Sequence, residues 1–161
     1  MAIQVHEVRE ALATYCAALV VDASYQRDTA DAWRQVEFPL VPEVEPAQMA
    51  HLGFWIDDRD QVQSGTPAGL NSSFDDGAYL DTPLTFRALF ELQPHAAAAD
   101  WDRAGRAGIH MLRHLLRLEH SEINLVPDSA PMSRGFINQP GWVAVELRVR
   151  AQYLLSLAPG A

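Results

Sequence analysis

Between Trp142 and Tyr153 the chain alternates without a break. Val143, Val145, Leu147, Val149, Ala151 and Tyr153 fall on one side, and Ala144, Glu146, Arg148, Arg150 and Gln152 on the other. A side-chain period of two belongs to a β-strand, so the pattern predicts a long strand with one buried and one wet face. Such a strand suits an antiparallel sheet, because a parallel sheet is covered on both faces and reads as a continuous apolar run. A second strand is expected through TFRALFEL, where Phe86, Ala88, Phe90 and Leu92 oppose Arg87, Leu89 and Glu91.

A sheet with one apolar face needs a cover, and two helical periodicities can supply it. Residues 2–22 read as a helix whose stripe is Val5, Val8, Leu12, Tyr15 and Leu19, at spacings of three and four. Residues 96–119 read as a longer helix with an inner stripe of Trp101, Ala104, Gly108, Met111, Leu112, Leu115 and Leu118. Asp100 and Asp102 fall near its start, where carboxylates match the positive end of the helix dipole. Leu52, Phe54 and Ile56 alternate with Gly53, Trp55 and Asp57 as a short half-buried strand, and Ile123 with Leu125 suggests another. Residues 33–47 are expected to be extended, because Pro39, Pro42 and Pro46 forbid a helix. Two long loops complete the expectation, about 57–83 and 127–141, both rich in proline and glycine. The order predicts one α+β domain over residues 1–161: a mostly antiparallel sheet, an N-terminal helix, and a long second helix packed on one face.

Function classes fall away on composition. The 21 acidic and 12 basic residues give a formal charge of −9, so no nucleic-acid partner is expected: a phosphate backbone is bound by surplus cations. All twelve basic residues are arginine, and with no lysine a Walker A loop or a lysine Schiff base is impossible. Ser64, Ser72, Ser73, Ser129 and Ser133 lack the G-x-S-x-G setting of a hydrolase nucleophile. Cys16 is the one cysteine, which rules out an internal disulfide and reads as a buried thiol. No apolar run reaches membrane-spanning length, and the first residues carry Glu7 and Glu10 rather than the basic start of a signal peptide. No catalytic residue, cofactor or metal is expected. His110 and His114 stand one helical turn apart, a chelating spacing, but Arg106, Arg113 and Arg117 crowd the same face and repel a dication.

That face is the candidate site. Arg103, Arg106, His110, Arg113, His114 and Arg117 form a basic stripe opposite the apolar one, a docking strip for a carboxylate-rich surface in an otherwise acidic chain. The complementary acidic candidates are Asp57, Asp58 and Asp60, with Asp75 and Asp76, all placed on the first long loop and lacking the EF-hand ligand pattern.

In the order of its elements the chain resembles bacteriophage tail terminator and tail-completion (neck) proteins. The matching parts are the helix at 2–22, the strand TFRALFEL, the helix AAAADWDRAGRAGIHMLRHLLRLEH and the strand GWVAVELRVRAQYLL. The likeness spans most of the chain by layout, with no short motif, so it carries over no functional residue. It implies a structural virion protein, assembled in the host cytoplasm as a homohexameric ring. Such a ring stops tail-tube polymerisation, touches the tail tube protein, and presents a surface to the head–tail connector protein. Two other classes stay open: another neck or baseplate adaptor, and a small cytosolic ligand-binding or enzymatic domain whose pocket Phe86, Phe90, Trp101 and Trp142 would line.

Overall fold

In a computed structural model, which describes residues 3–37, 49–58 and 77–156, the alternating segment forms a strand flanked by partners on both sides. The elements are α1 (Val5–Ala17), β1 (Arg34–Gln35), β2 (Gly53–Asp57), β3 (Gly77–Glu91), α2 (Ala97–Leu116), β4 (Ile123–Phe136) and β5 (Trp142–Ser156). The described strands make one five-stranded sheet in the order β1-β2-β3-β5-β4. Its β2–β3, β3–β5 and β5–β4 pairs are antiparallel, and β1 alone runs parallel to its neighbour β2. The fold is α+β with a mixed, mostly antiparallel sheet and, among the described residues, two helices on one face.

All six apolar residues of the alternation, from Val143 to Tyr153, are buried. They share the core with Phe86, Ala88 and Phe90 of β3, Phe54 and Ile56 of β2, and the inner faces of both helices. α2 crosses this face over β4 and β5, and α1 packs beside it against β1 and β2. Glycine permits the close crossing. A Cβ on Gly108 would stand 2.7 Å from Val145 Cγ1 and 2.9 Å from Met132 Cε, contacts that no side chain can hold. α1 is shorter than 2–22: it is opened by a capping box between Gln4 and Glu7, and it buries Val8, Leu12, Ala13 and Cys16. Burial pushes the Cys16 thiol well above its ordinary value, which leaves it an inert core group.

Three expectations need correction. Residues 127–136 are not loop: β4 continues through them, with a register shift between Pro127 and Met132 where a bulge interrupts the ladder. β4 is the last strand of the sheet, and prolines are tolerated on an edge because the missing N–H breaks no inner ladder bond. Residues 77–83 likewise belong to β3, paired with β5 from Gly77↔Ser156 onward. Pro83 fits there because β2 pairs only with Thr85–Ala88, so at position 83 the strand has β5 alone as a described partner. Of the first loop, residues 59–76 lie outside the described residues, as does most of the extended stretch 33–47 beyond β1. Finally, β2 is buried at all five positions rather than half-buried.

The second face of the sheet is polar along β3 and β5. Arg87 Nε lies 3.5 Å from Glu146 and 4.0 Å from Asp57; Arg148 meets the other oxygen of Glu146 at 3.0 Å. Further along, Arg150 reaches Asp81 at 2.6 Å, and Gln152 bridges Asp81 and Asn124. Each such surface pair contributes about 0–1 kcal/mol, so this lattice sets strand register more than it stabilises the fold.

Candidate interaction surface

The outer side of α2 is shaped by the segment that follows α1. Residues 18–33 wind back over the helix, anchored by Tyr25 and Trp33, both buried. The basic stripe is therefore divided by what this segment covers. Arg103 is half-buried and paired at 2.8 Å with Asp100, whose side chain is 0% exposed. Asp100 thus does more than match the helix dipole. It accepts the Gln93 N–H at 2.8 Å and faces Arg27 at 3.7 Å.

The two histidines also turn inward. His114 stacks on Tyr15 at 3.8 Å, its Nε2–H donating to the Tyr15 carbonyl while the Tyr15 hydroxyl donates to the His114 carbonyl. These carbonyls lie in the last turns of the two helices, so the reciprocal pair locks α1 to α2. His110 Nδ1 lies 2.7 Å from the Tyr25 hydroxyl, which in turn accepts the Trp33 indole N–H at 3.2 Å.

What stays open on α2 is Arg106, Arg113 and Arg117, all exposed. Arg106 donates one N–H to the Ser24 carbonyl; Arg113 and Arg117 form no ion pair among the described residues. Two adjoining hollows run beside them. One of about 410 Å³ lies between Asp22, Ser24, Arg106, Ile109, His110 and Arg113. The other, of about 180 Å³, adds Leu19, His114 and Arg117. They share His110 and Arg113 and form one groove with three open guanidinium groups.

The acidic candidates fare differently. Asp57 ends β2 and Asp58 follows it, and both are buried. Asp58 holds Arg9 of α1 at 3.2 Å, and Asp57 lies by Arg87, so these carboxylates join elements of the fold instead of facing solvent. Asp60, Asp75 and Asp76 lie outside the described residues. Of the aromatics of the pocket alternative, Trp142 opens β5 opposite Glu91, and the other three pack on separate partners. Phe86 stacks on Phe54, Phe90 meets His51, and Trp101 stacks on Phe136 beneath Arg134. No protein-family model matches the chain, and no curated protein is significantly similar to it. The surface is therefore interpreted from its own chemistry. Among the described residues no group of three or more His, Cys, Asp and Glu is placed to hold a metal ion, and no helix is long and apolar enough to cross a membrane.

Sequence reasoning missed a polar cluster under this surface, built by Arg27, Asp31, His51, Glu91 and Asp100. His51 Nδ1 accepts the Glu91 N–H at 3.2 Å, and its Nε2 lies 3.8 Å from Asp31. Burial first, then the Arg27 guanidinium, push this imidazole from 6.5 down to about 4, against the pull of Asp31, Asp100 and Asp28. The folded value lies below the unfolded one, so the unfolded chain binds the extra proton between those pH values. Stability is full above pH 6.5 and falls as pH drops towards 4. Urea titrations at pH 7 and pH 4.5 should show a loss to which His51 contributes about 2 kcal/mol. His51→Gln, which keeps an acceptor for Glu91, should remove that share. An equal loss in the variant would place the pH sensitivity elsewhere.

Proposed function

We propose that the protein is a structural subunit of a phage tail, a ring-forming terminator at its head-proximal end. The observation that carries this is the set of open arginines Arg106, Arg113 and Arg117 on one rigid helix face, in a chain of net charge −9. A closed ring uses head-to-tail contacts between two different patches of the same subunit. Like-charged subunits that nevertheless associate need local complementarity, and this face is a concentrated positive strip that meets carboxylates through bidentate forks. The element order and the edge of β4, which no other described strand covers, support the same use, since an unpaired edge offers backbone groups to a neighbour. The partners are copies of the chain, the tail tube protein and the head–tail connector protein.

The test is a double charge reversal, Arg106→Glu with Arg113→Glu. The fold should survive, with a melting temperature within a few degrees, because exposed helix positions away from the core shift stability by about 0.5 kcal/mol or less each. Electron microscopy of particles assembled with the variant should show unjoined heads and tails, or tails of uncontrolled length. Normal particles at normal titre would remove the stripe from the interface and leave the proposal without its main support.

A further inference from the structure

We infer that the groove at His110 binds a carboxylate of an acidic polypeptide segment, with His110 Nε2–H, Arg106 and Arg113 as its donors. The inference rests on the docking helix proposed above and names the chemistry that docks there.

The chain Trp33–Tyr25–His110 is satisfied throughout when Tyr25 donates to the histidine. The Trp33 indole only donates, so the Tyr25 oxygen is its acceptor. The Tyr25 hydroxyl has one hydrogen of its own, and burial raises its pKa, so it keeps that hydrogen. It donates to His110 Nδ1 at 2.7 Å. With Nδ1 accepting, the ring hydrogen sits on Nε2; if the ring takes a second proton, Nε2 still carries one. The nitrogen left for the groove is thus a donor in either protonation state, and it makes no hydrogen bond among the described residues. Beside it stand Arg113 and the remaining N–H groups of Arg106, which also only donate. Three such donors on one side of the hollow select a group that only accepts, a carboxylate or a phosphate, with the Asp22 carboxylate and Ser24 completing the lining.

Charge and shape favour the carboxylate on a polypeptide. The body of the chain carries −9, and Asp22 stands on the rim, its carboxylate held ionised by the Ser24 N–H. Both repel a dianion more than a monoanion. The lining is also partly apolar: Ile109, 45% exposed, stands beside Arg106 and Arg113, and Leu19 lines the neighbouring hollow. Such shoulders suit aliphatic side chains flanking an acid in a peptide, and give a free phosphate nothing.

The experiment follows the histidine side chains by long-range proton–nitrogen NMR while a blocked Leu-Glu-Leu-Glu-Leu peptide is added. The His110 Nε2–H signal should move and saturate. Arg106→Gln with Arg113→Gln should weaken binding at least tenfold at an unchanged melting temperature. Tyr25→Phe, which keeps the ring in the core, should weaken it severalfold and let the Nδ1–H tautomer appear. The same peptide with glutamine for glutamate should not bind. No saturable shift, equal binding of the glutamine peptide, or indifference to the arginine changes would each overturn the inference. Tighter binding of inorganic phosphate would overturn its polypeptide part. A variant-sensitive ring that ignores the peptide would reject this site while leaving the assembly role standing, so the two failures are separable.

Discussion

Replacing Val145 with aspartate is expected to abolish the cooperative folding transition and leave the chain insoluble. Val145 is the fourth residue of β5, flanked by Ala88 of β3 and Arg134 of β4 in the ladders, and is 2% exposed. α2 crosses directly above, close enough that a Cβ on Gly108 would stand 2.7 Å from Val145 Cγ1. There is no room for water to follow a carboxylate in, and an unpaired buried charge there costs about 4 kcal/mol or more, a large share of the stability of a domain this size. A gentler change checks the same packing where the aspartate variant gives no folded protein to measure. Val145→Ala removes two methyl groups and should cost about 1–3 kcal/mol by urea denaturation. A soluble aspartate variant with an unchanged melting temperature would mean that β5 is turned the other way, and with it every residue assigned to the core.

That strand was legible in the sequence because one periodicity acted alone. β5 has partners on both sides, carries no proline or glycine between Trp142 and Tyr153, and meets the core with one face only. β4 obeys the same physics but hides it. Pro127 and Pro131 read as loop, and the bulge between Pro127 and Met132 breaks the phase of the alternation. Pro83 obscured the start of β3 for a related reason: β2 is short, so the proline lies where no described inner ladder needs its missing N–H. The helical period likewise told which residues of α2 share a face, and nothing about what else would lie on that face. Residues 18–33, polar on average, carry Tyr25 and Trp33, whose hydrogen bonds claim His110. Tyr25, just beyond the helix expected at 2–22, and Trp33, at the head of the stretch expected to be extended, were the available signal. Asp57 and Asp58 were misplaced because their partners, Arg87 and Arg9, are 30 and 49 positions away, a pairing no local pattern encodes.

Loss of the Asp100 carboxylate should have the other large effect, and its size tests whether the site rests on a rigid base. α2 starts at Ala97 after an Ala96 cap with no side-chain hydrogen bond, so nothing local secures its first turn. Asp100 does so from within. One oxygen accepts the Gln93 N–H at 2.8 Å and the other accepts Arg103 at 2.8 Å, the Asp100 side chain itself being 0% exposed. Arg27, its side chain 13% exposed, stands 3.7 Å away, donates to the Glu91 carbonyl and lies over the Phe90 ring at 5.6 Å. It thereby ties the covering segment to β3 and to α2 together. Asp100→Ala would leave Arg27 with Glu91, 3.5 Å away, as its one carboxylate within 4 Å, take the partner from Arg103, and leave the Gln93 N–H without its acceptor. Removing one partner of a buried ion pair costs about 3–5 kcal/mol, far more than the pair itself contributes over an apolar substitute. Asp100→Asn keeps an acceptor for Gln93 and loses the charge, so it should fall between, at about 2 kcal/mol. The consequence should reach the groove: with Arg27 held to β3 alone and no longer to α2, residues 18–33 lose one of their anchors, and Ser24 and Tyr25 are held less firmly over Arg106 and His110. Urea denaturation gives the stability, and hydrogen exchange at residues 22–33 gives the local loosening. A cost below about 1 kcal/mol for Asp100→Ala, with unchanged exchange, would mean that water reaches the carboxylate and that the cluster is not the base on which the docking face is held.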